Sequence, residues 1–257
     1  MTENVFENNL EKYINPELYD HMYEKYQKDL DLILEYTHLV EQEIIELACG
    51  TGRLTIPMAR RGYSMIGVDI HEGMLQRAKT KAEDEKLNIK FFQQDCSKLD
   101  VPSKASLIFM TGNSFQHFLT NDVQNQLFES IKRHLVPGGY FIFDTRNPLL
   151  SELAIVDEYE TRYKDKNNYE VIEQHREIYE ATTQIQHCYT NRQIFDGNVL
   201  VKTEQDRILL RYTYPLELER LLQQHSFELV ECYGDWNKNN YAANSVQMVI
   251  ICRLVEK

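Results

Sequence analysis

The order of apolar and polar residues along the chain predicts strands that alternate with helices. Short apolar runs of strand length occur at residues 44–47, 64–68, 89–92, 106–110 and 140–143. Apolar residues at helical spacing predict helices at residues 17–41, 53–61, 72–86, 121–134 and 215–225. This alternation is typical of an α/β domain whose mostly parallel sheet is covered by helices on both faces.

Capping and turn residues set several of the predicted boundaries. Asn121-Asp122 is expected to cap the helix at 121–134, and Pro215 to begin the helix at 215–225. Pro137-Gly138-Gly139 predicts a reversal turn directly before the strand at 140–143.

Residues 153–214 follow a different pattern and predict an antiparallel β insertion. Partial alternation, rich in β-branched and aromatic residues, occurs there, and Asp196-Gly197 is a hairpin signal between two of the runs. The insertion would act as a substrate lid or as a dimer contact. Residues 1–152 and 215–257 would form the core domain, with helices within 1–41 as a cap and closing strands at 227–230 and 246–252.

The first predicted strand ends in the turn Glu46-Leu-Ala-Cys-Gly-Thr-Gly52, which is the main candidate ligand site. Glycines allow a ligand to approach the backbone, and the following helix directs free N–H groups at it. A dinucleotide turn has a third glycine, but Thr55 stands at that position. The carboxylate of Glu46 would repel a pyrophosphate and attract the amino group of a methionine moiety. The turn therefore favours a zwitterionic, cationic cofactor.

Two further carboxylates follow the next two strands. Asp69 ends the second strand, where its side chain can accept hydrogen bonds from both hydroxyls of a ribose; its alternative role is to cap the helix at 72–86. Asp95 ends the third strand, where it can accept the amino group of an adenine while the Cys96 N–H meets a ring nitrogen. Both lie at the carboxyl edge of the sheet, where ligands bind in such folds.

Composition limits the classes of partner. The chain of 257 residues has a formal net charge of −12 and no basic stripe, which disfavours nucleic acid and anionic membrane surfaces. Five scattered cysteines without a CxxC pair indicate reduced thiols in a cytoplasmic protein and no metal site. Neither a signal peptide nor an apolar run long enough to span a membrane occurs in the sequence.

As an ordered set, four motifs resemble those of the class I S-adenosylmethionine-dependent methyltransferases. They are Glu46-Leu-Ala-Cys-Gly-Thr-Gly52, Gly67-Val-Asp-Ile-His-Glu-Gly-Met-Leu75, Gln94-Asp95, and Leu135-Val-Pro-Gly-Gly-Tyr-Phe-Ile-Phe-Asp144. The resemblance covers residues 17–150 well and implies a Rossmann-like, seven-stranded sheet whose last strand is antiparallel. Two departures are Ala48, where many members have glycine, and His71, where a small serine is common.

The resemblance implies S-adenosylmethionine as the cofactor and a set of residues around it. One tyrosine of the N-terminal helical region, which contains Tyr13, Tyr19, Tyr23 and Tyr26, would hydrogen-bond the cofactor. The residues expected to contact the cofactor are Tyr19, Glu46, Ala48, Cys49, Gly50, Gly52, Asp69, Ile70, Met74, Asp95, Cys96 and Thr111.

The methyl acceptor would be a small molecule bound by residues after the fourth and fifth strands. The segment Thr111-Gly-Asn-Ser-Phe-Gln-His-Phe118 is similar to that of glycine and sarcosine N-methyltransferase relatives, so nitrogen is favoured over oxygen as acceptor atom. His117 would be a substrate contact, a base or a structural residue, and Arg146 a carboxylate clamp or half of an internal salt bridge. The expected substrate residues are Asn113, His117, Arg146, Trp236 and Tyr241.

Three other functions, and the oligomeric state, stay open. The motifs report cofactor binding rather than chemistry, so the chain could be a binding module without turnover. A nicotinamide-dependent oxidoreductase is the rival enzyme class, against which Thr55 and the Pro-Gly-Gly turn argue. The substrate could also be a protein, and the chain could be a homodimer.

Overall fold

A computed structural model of the protein describes residues 9–23, 25–37, 42–165 and 167–255. The helices in this part of the chain are α1 (Pro16–Tyr23), α2 (Lys28–Thr37), α3 (Thr55–Arg60), α4 (Glu72–Asp84), α5 (Asn121–His134), α6 (Leu150–Leu153) and α7 (Pro215–Gln224). The strands are β1 (Glu43–Leu47), β2 (Met65–Asp69), β3 (Lys90–Gln93), β4 (Ala105–Met110), β5 (Leu135–Arg146), β6 (Asp157–Lys164), β7 (Glu170–Glu180), β8 (Ile185–Asp196), β9 (Val199–Arg211), β10 (Phe227–Tyr233) and β11 (Gln247–Leu254).

Seven of the described strands form one sheet in the order β10-β11-β5-β4-β1-β2-β3. Strands β1 to β5 pair in parallel, and β11 runs antiparallel to both β5 and β10. The predicted α/β class, the seven-stranded Rossmann-like sheet and its antiparallel last strand are confirmed. Because β1 to β4 are parallel, the residues that follow them meet at one edge of the sheet.

The sheet is buried on both faces because successive side chains of its central strands point to opposite sides. Ile44 of β1 packs with Leu30 of α2 and Met58 of α3 on one face. Ile45, the next residue, packs with Phe128 of α5 and Leu222 of α7 on the other. This two-sided burial explains why these strands are continuous apolar runs in the sequence.

The predicted β insertion is a second sheet of four antiparallel strands in the order β6-β7-β8-β9. Its hairpin β8–β9 turns at Asp196-Gly197, as expected, with Gly197 at φ 57°. The sheet lies within residues 157–211, slightly inside the predicted range. Division of the chain into a core of 1–152 and 215–257 and an insertion of 153–214 remains an interpretation.

Three local predictions were wrong. The single helix expected at 17–41 is two helices, α1 and α2, and residues 24 and 38–41 lie outside the described part of the chain, as do residues 1–8 of the expected cap. Thr120 rather than Asn121-Asp122 caps α5, since its side chain accepts the Val123 N–H. Pro137-Gly138-Gly139 is a bulge inside β5: Ala105 pairs with Leu135 but Leu107 with Tyr140, and Gly138 has φ 75°.

None of the helices within the described ranges is both long and apolar enough to cross a membrane.

Candidate active site

A cavity of about 1010 Å³ opens at the carboxyl edge of the main sheet. Its walls come from the N-terminal helices, the turns after β1 to β5 and the facing side of the second sheet. Most of the residues predicted to bind a cofactor or substrate line it: Tyr19, Ala48, Gly50, Asp69, Ile70, Met74, Asp95, Cys96, Asn113, His117, Arg146 and Trp236.

The turn after β1 exposes its backbone to the cavity through two left-handed residues. Ala48 has φ 52° and Gly50 has φ 54°, and a Cβ on Gly50 would lie 3.3 Å from Met74 Cε. Cys49 and Gly52 lie behind the turn instead: Cys49 is buried, and a Cβ on Gly52 would lie 3.0 Å from Ile56 Cδ1. Gly52 therefore serves the packing of α3 against the turn.

Asp69, the last residue of β2, is hydrogen-bonded to the turn after β1. Its Oδ2 accepts the Gly50 N–H at 2.8 Å and its Oδ1 accepts the His71 N–H at 2.8 Å. It does not cap α4, because His71 Nδ1 accepts the Met74 N–H in that role. His71 thus performs the capping that a serine would perform at this position. Burial raises the pKa of the Asp69 carboxyl, and each oxygen keeps a lone pair for a ligand hydroxyl.

Asp95 begins the short helical turn after β3. Its Oδ1 accepts both the Ser97 N–H, at 2.9 Å, and the Ser97 hydroxyl, at 2.7 Å, so these two bonds leave Oδ2 to the cavity. Cys96 is buried beside it, and burial holds the pKa of its thiol far above the usual range. Cys96 is thus an uncharged wall residue, suited to the face of an aromatic base.

Glu46 lies at the end of β1 with only 3% of its surface exposed, and it does not itself line the cavity. Its carboxylate accepts the hydroxyl hydrogen of Thr55, the residue that replaces the third glycine of a dinucleotide turn. Burial raises the pKa of Glu46 to about 8, while the Thr55 hydrogen bond and the charge of Arg53 oppose this rise. A cationic group bound nearby would favour its ionised form.

Arg53 lines the cavity and was missed by the sequence analysis. Its guanidinium binds both carboxylate oxygens of Asp29, at 2.9 and 2.5 Å, and donates to Thr111 Oγ1 at 3.1 Å. It also lies 5.5 Å from the ring centroid of Tyr26. Thr111, predicted to contact a cofactor, does not itself line the cavity; it accepts a hydrogen bond from Arg53, which does. The one sequence signal for Arg53 was its position next to the glycine turn. Its partner Asp29 lies 24 residues earlier, in α2, so no local pattern links the two.

Asn113 and Asp144 form the end of the cavity beyond β4 and β5. Asn113 has the left-handed backbone φ 57°, ψ 24°, and its N–H donates to Asp144 Oδ1 at 2.9 Å. Asp144 Oδ2 accepts Trp236 Nε1 at 3.3 Å and Gln247 Nε2 at 2.5 Å. Within the described residues, the buried Oδ1 of Asn113 has no hydrogen-bond partner. An unpaired buried carbonyl oxygen at a cavity wall is an acceptor for a ligand N–H or O–H.

His117 lies four residues further along the same loop and is held on both sides. Its Nδ1 is 3.2 Å from Asn9 Nδ2 and its Nε2 is 2.9 Å from the Tyr13 hydroxyl. Burial, with a smaller contribution from the charge of Lys12, lowers the pKa of His117 to about 4. The ring is therefore neutral at physiological pH.

The remaining predicted substrate residues have different surroundings. Trp236 is buried at the cavity wall beside Asp144. Arg146 lies at the cavity mouth and pairs with Glu152 at 3.3 Å, with both side chains well exposed. Tyr241 does not line the cavity: its hydroxyl donates to Asn147 Oδ1 at 2.9 Å and its ring packs against the core, which is the arrangement of a loop anchor.

The second sheet supplies a polar wall that sequence reasoning did not resolve into residues. On β6, alternate residues Tyr159, Thr161 and Tyr163 face the cavity, as expected for one face of a strand. On the neighbouring strands, Arg192 donates to Glu173 at 2.6 Å. Because carboxylates and hydroxyls dominate this wall, it suits a polar acceptor better than a lipid-like one.

Comparison with known proteins agrees with this architecture. Residues 44–139 match the family described as a methyltransferase domain. A putative methyltransferase of Geobacillus sp. strain WCH70 is 31% identical over 147 residues, which are 57% of this chain and 58% of that protein. A ubiquinone biosynthesis O-methyltransferase of Rickettsia akari is 28% identical over 157 residues, 57% of this chain and 59% of that protein. The chain thus spans less than two thirds of the length of these curated relatives.

The fold likeness extends further than the sequence likeness. The crystal structure of an S-adenosylmethionine-dependent methyltransferase from Clostridium acetobutylicum is similar with a TM-score of 0.81 at 23% identity. The match covers 93% of this chain and 99% of that chain. It therefore includes nearly all of the chain, beyond the residues that match the domain family.

Proposed function

Because the chain belongs to the class I S-adenosylmethionine-dependent methyltransferases, we propose that it transfers a methyl group from S-adenosylmethionine to an amine nitrogen of a small molecule. The observation that carries the choice of nitrogen is the unpartnered Oδ1 of Asn113. The neighbouring titratable side chains, His117 and Asp144, already accept or donate hydrogen bonds within the protein.

The residues after β1, β2 and β3 fit the cofactor. Asp69 offers two carboxylate oxygens to the ribose hydroxyls, and Asp95 offers Oδ2 to the adenine amino group beside the flat wall at Cys96. The turn at Ala48 and Gly50 admits the methionine part, whose ammonium would be attracted by Glu46. When bound, S-adenosylmethionine supplies an electrophilic methyl group on a sulfonium.

The groups next to Asn113 favour an amine over a hydroxyl as acceptor. A hydroxyl must lose its proton to a base during transfer, whereas an amine only needs to arrive deprotonated. His117 has a partner on each ring nitrogen, and Asp144 accepts three N–H donors. His117 therefore has no unoccupied ring nitrogen, and the hydrogen bonds of Asp144 leave it a single lone pair, on Oδ1. An acceptor that needs no base fits these surroundings better than one that does. Asn113 Oδ1 would instead accept an N–H of the amine and thereby direct its lone pair toward the methyl group.

The second sheet supports the proposal that residues 153–214 form a lid over the acceptor. Its inner face lines the same cavity as the turns of the main sheet. Covering the acceptor would exclude water from the transfer step. A dimer contact through the outer face of this sheet is the alternative role, and both can hold at once.

Isothermal titration with S-adenosylmethionine and S-adenosylhomocysteine tests the cofactor assignment. We expect saturable binding of both, and no heat with either would overturn the proposal. Formation of S-adenosylhomocysteine with a panel of primary amines and matching alcohols then tests the acceptor atom. Turnover of amines is expected, and turnover confined to alcohols would contradict the choice of nitrogen.

Two variants of Asn113 make the test specific. Asn113→Gly removes the amide but tolerates the left-handed backbone, so it should keep cofactor affinity and lose about tenfold or more in kcat/KM. Asn113→Asp keeps an acceptor oxygen at the same place and should retain more activity than Asn113→Gly. Equal activity of Asn113→Gly and the unaltered protein would remove Asn113 from the acceptor site.

Methylation of an oxygen is the second candidate function. It is favoured by the similarity to a ubiquinone biosynthesis O-methyltransferase, which covers 57% of this chain. For that reaction Asp144, which lines the cavity and whose pKa is raised to about 7 by burial, has a pKa suited to a base. A rise in turnover of alcohols above pH 7 that is lost in Asp144→Asn would favour this candidate.

A further inference from the structure

The N-terminal segment, the loop after β4 and the second sheet meet at the side chain of Asn9. Asn9 is 3% exposed and lines the cavity. Its Oδ1 accepts the Leu209 N–H at 2.6 Å, and its Nδ2 donates to the Leu209 carbonyl at 2.9 Å. Leu209 belongs to β9, one of the two edge strands of the second sheet. The two bonds to one backbone unit fix which end of the Asn9 amide is oxygen and which is nitrogen.

This fixed amide determines how the neighbouring histidine is protonated. The second hydrogen of Asn9 Nδ2 points to His117 Nδ1, 3.2 Å away. Nδ1 must then accept, because a hydrogen on it would face the hydrogen of the amide. A neutral imidazole that accepts at Nδ1 carries its hydrogen at Nε2. That hydrogen lies on the side of the Tyr13 hydroxyl, 2.9 Å away.

We propose that Asn9 locks His117 in the Nε2–H tautomer, so that Tyr13 receives a hydrogen bond from His117 and presents its own hydroxyl hydrogen to the methyl acceptor. Within the described chain, His117 is the hydrogen-bond partner of the Tyr13 hydroxyl, and Tyr13 lines the cavity. The role of Tyr13 toward the acceptor rests on the proposed function, whereas the tautomer of His117 does not.

Asn9, His117 and Tyr13 form an uncharged chain of hydrogen bonds, called here the positioning device, which orients the acceptor and carries no proton. The low pKa of His117 keeps its ring neutral, and burial holds the pKa of Tyr13 well above its usual range. A hydroxyl with a fixed donor direction pairs with an oxygen of the acceptor, such as a hydroxyl or ether oxygen. The predicted substrate class is therefore an amine that also carries such an oxygen. An acceptor without it would leave the Tyr13 hydrogen unpaired in the cavity.

Nitrogen-15 NMR of the histidine rings tests the tautomer without any turnover. In the unaltered protein bound to S-adenosylhomocysteine, His117 should show a protonated Nε2, an unprotonated Nδ1 and no titration across the physiological pH range. Asn9→Asp replaces the donor by a carboxylate, which should move the hydrogen to Nδ1. Asn15→Asp adds the same charge in the same segment without contacting His117, and it should leave the Nε2–H tautomer in place.

Kinetics test whether the device acts on the acceptor. Tyr13→Phe removes the donor, and Asn9→Asp turns the Tyr13 hydrogen toward His117. Each should lower kcat/KM by about tenfold and leave the affinity for S-adenosylmethionine unchanged. Because both changes remove the same hydrogen bond, the double variant should be no slower than either single variant. The ratio of kcat/KM for 2-aminocyclohexanol to kcat/KM for cyclohexylamine should fall in both single variants and in the double variant.

Two results would overturn the proposal. One is an Nδ1–H or titrating His117 in the unaltered protein, which refutes the lock whether or not the protein methylates amines. The other is an additive loss in the double variant, which would mean that Asn9 and Tyr13 act separately. Absence of amine turnover together with the Nε2–H tautomer would refute the proposed function and the role of Tyr13 toward an acceptor, and would leave the lock standing.

Discussion

The carboxylate of Glu46 and the hydroxyl of Thr55 are hydrogen-bonded across the glycine turn, joining the end of β1 to the first residue of α3. Both side chains are buried, and Glu46 keeps a raised pKa of about 8 despite this bond. A buried carboxylic acid at the end of a strand destabilises the protein when it ionises. Its ionisation becomes favourable when a cation is bound next to the carboxylate.

Substitution of Glu46 by glutamine should therefore separate stability from binding. Glu46→Gln keeps an acceptor for Thr55 but cannot ionise, so it should stabilise the ligand-free protein and weaken binding of S-adenosylmethionine by about tenfold or more. Because the folded pKa is raised above 4.5, the Glu46 contribution to stability is complete below pH 4.5 and lost as the pH rises through about 8. The gain in Tm from Glu46→Gln should thus increase between pH 5 and about pH 8.

Binding has the opposite pH dependence. In the proposed function, ionised Glu46 attracts the ammonium of the cofactor. The Kd should then fall as the pH rises toward about 8, by up to tenfold per pH unit, and this slope should disappear in Glu46→Gln. Glu43→Gln is the matched control, since Glu43 lies on the same strand but pairs with Lys90 outside the cavity. A slope that survives in Glu46→Gln would assign the titration to another group.

Ala48→Gly should stabilise the protein although it removes a side-chain carbon. Ala48 has φ 52°, a region that costs an L-residue about 1 to 2 kcal/mol, more than the chain entropy that glycine adds. We expect a rise in Tm of about 2 °C with unchanged affinity for the cofactor. Ala59→Gly, inside α3, should lower the Tm, because Ala59 is helical. A lower Tm in both variants would contradict the strain at Ala48.

The sequence was sufficient to predict the main sheet and its carboxyl edge, for a physical reason. The buried strands are apolar runs, and parallel strands bring residues 46–52, Asp69 and Asp95 to one edge whatever the loop conformations. The fold that the family resemblance implies, including the antiparallel last strand, was confirmed. Its glycine and sarcosine branch stays a prediction.

Contacts between segments that are distant in the chain could not be predicted from the sequence. Asn9 meets Leu209, and Arg53 meets Asp29 in a separate helix, and no local pattern encodes either pairing. Which side of the second sheet faces the cavity also depends on how that sheet docks, since both of its faces carry polar residues. Tyr241 illustrates the same limit: its sequence neighbourhood resembles a binding loop, yet its hydroxyl anchors Asn147.

Trp236 should report the ionisation of Asp144. It is the one tryptophan of the sequence, and its Nε1 donates to Asp144 Oδ2 at 3.3 Å. Burial raises the pKa of Asp144 to about 7, so protonation below that pH should weaken the bond and change the emission. Fluorescence of the ligand-free protein should titrate with a midpoint near 7 and lose this transition in Asp144→Asn. Asp235→Asn, at the neighbouring residue, should keep it; the same midpoint in Asp144→Asn would refute the assignment.

Arg53→Met should be among the most destabilising single substitutions at the cavity. It leaves the carboxylate of Asp29, whose side chain is 1% exposed, without the guanidinium that binds both of its oxygens. Breaking a buried ion pair from one side costs about 3 to 5 kcal/mol, largely because the remaining charge is uncompensated. Adding Asp29→Asn removes that charge and should recover part of the loss, as measured by the free energy of unfolding in urea. A double variant less stable than Arg53→Met would instead show that Asp29 stabilises the fold mainly through contacts other than Arg53.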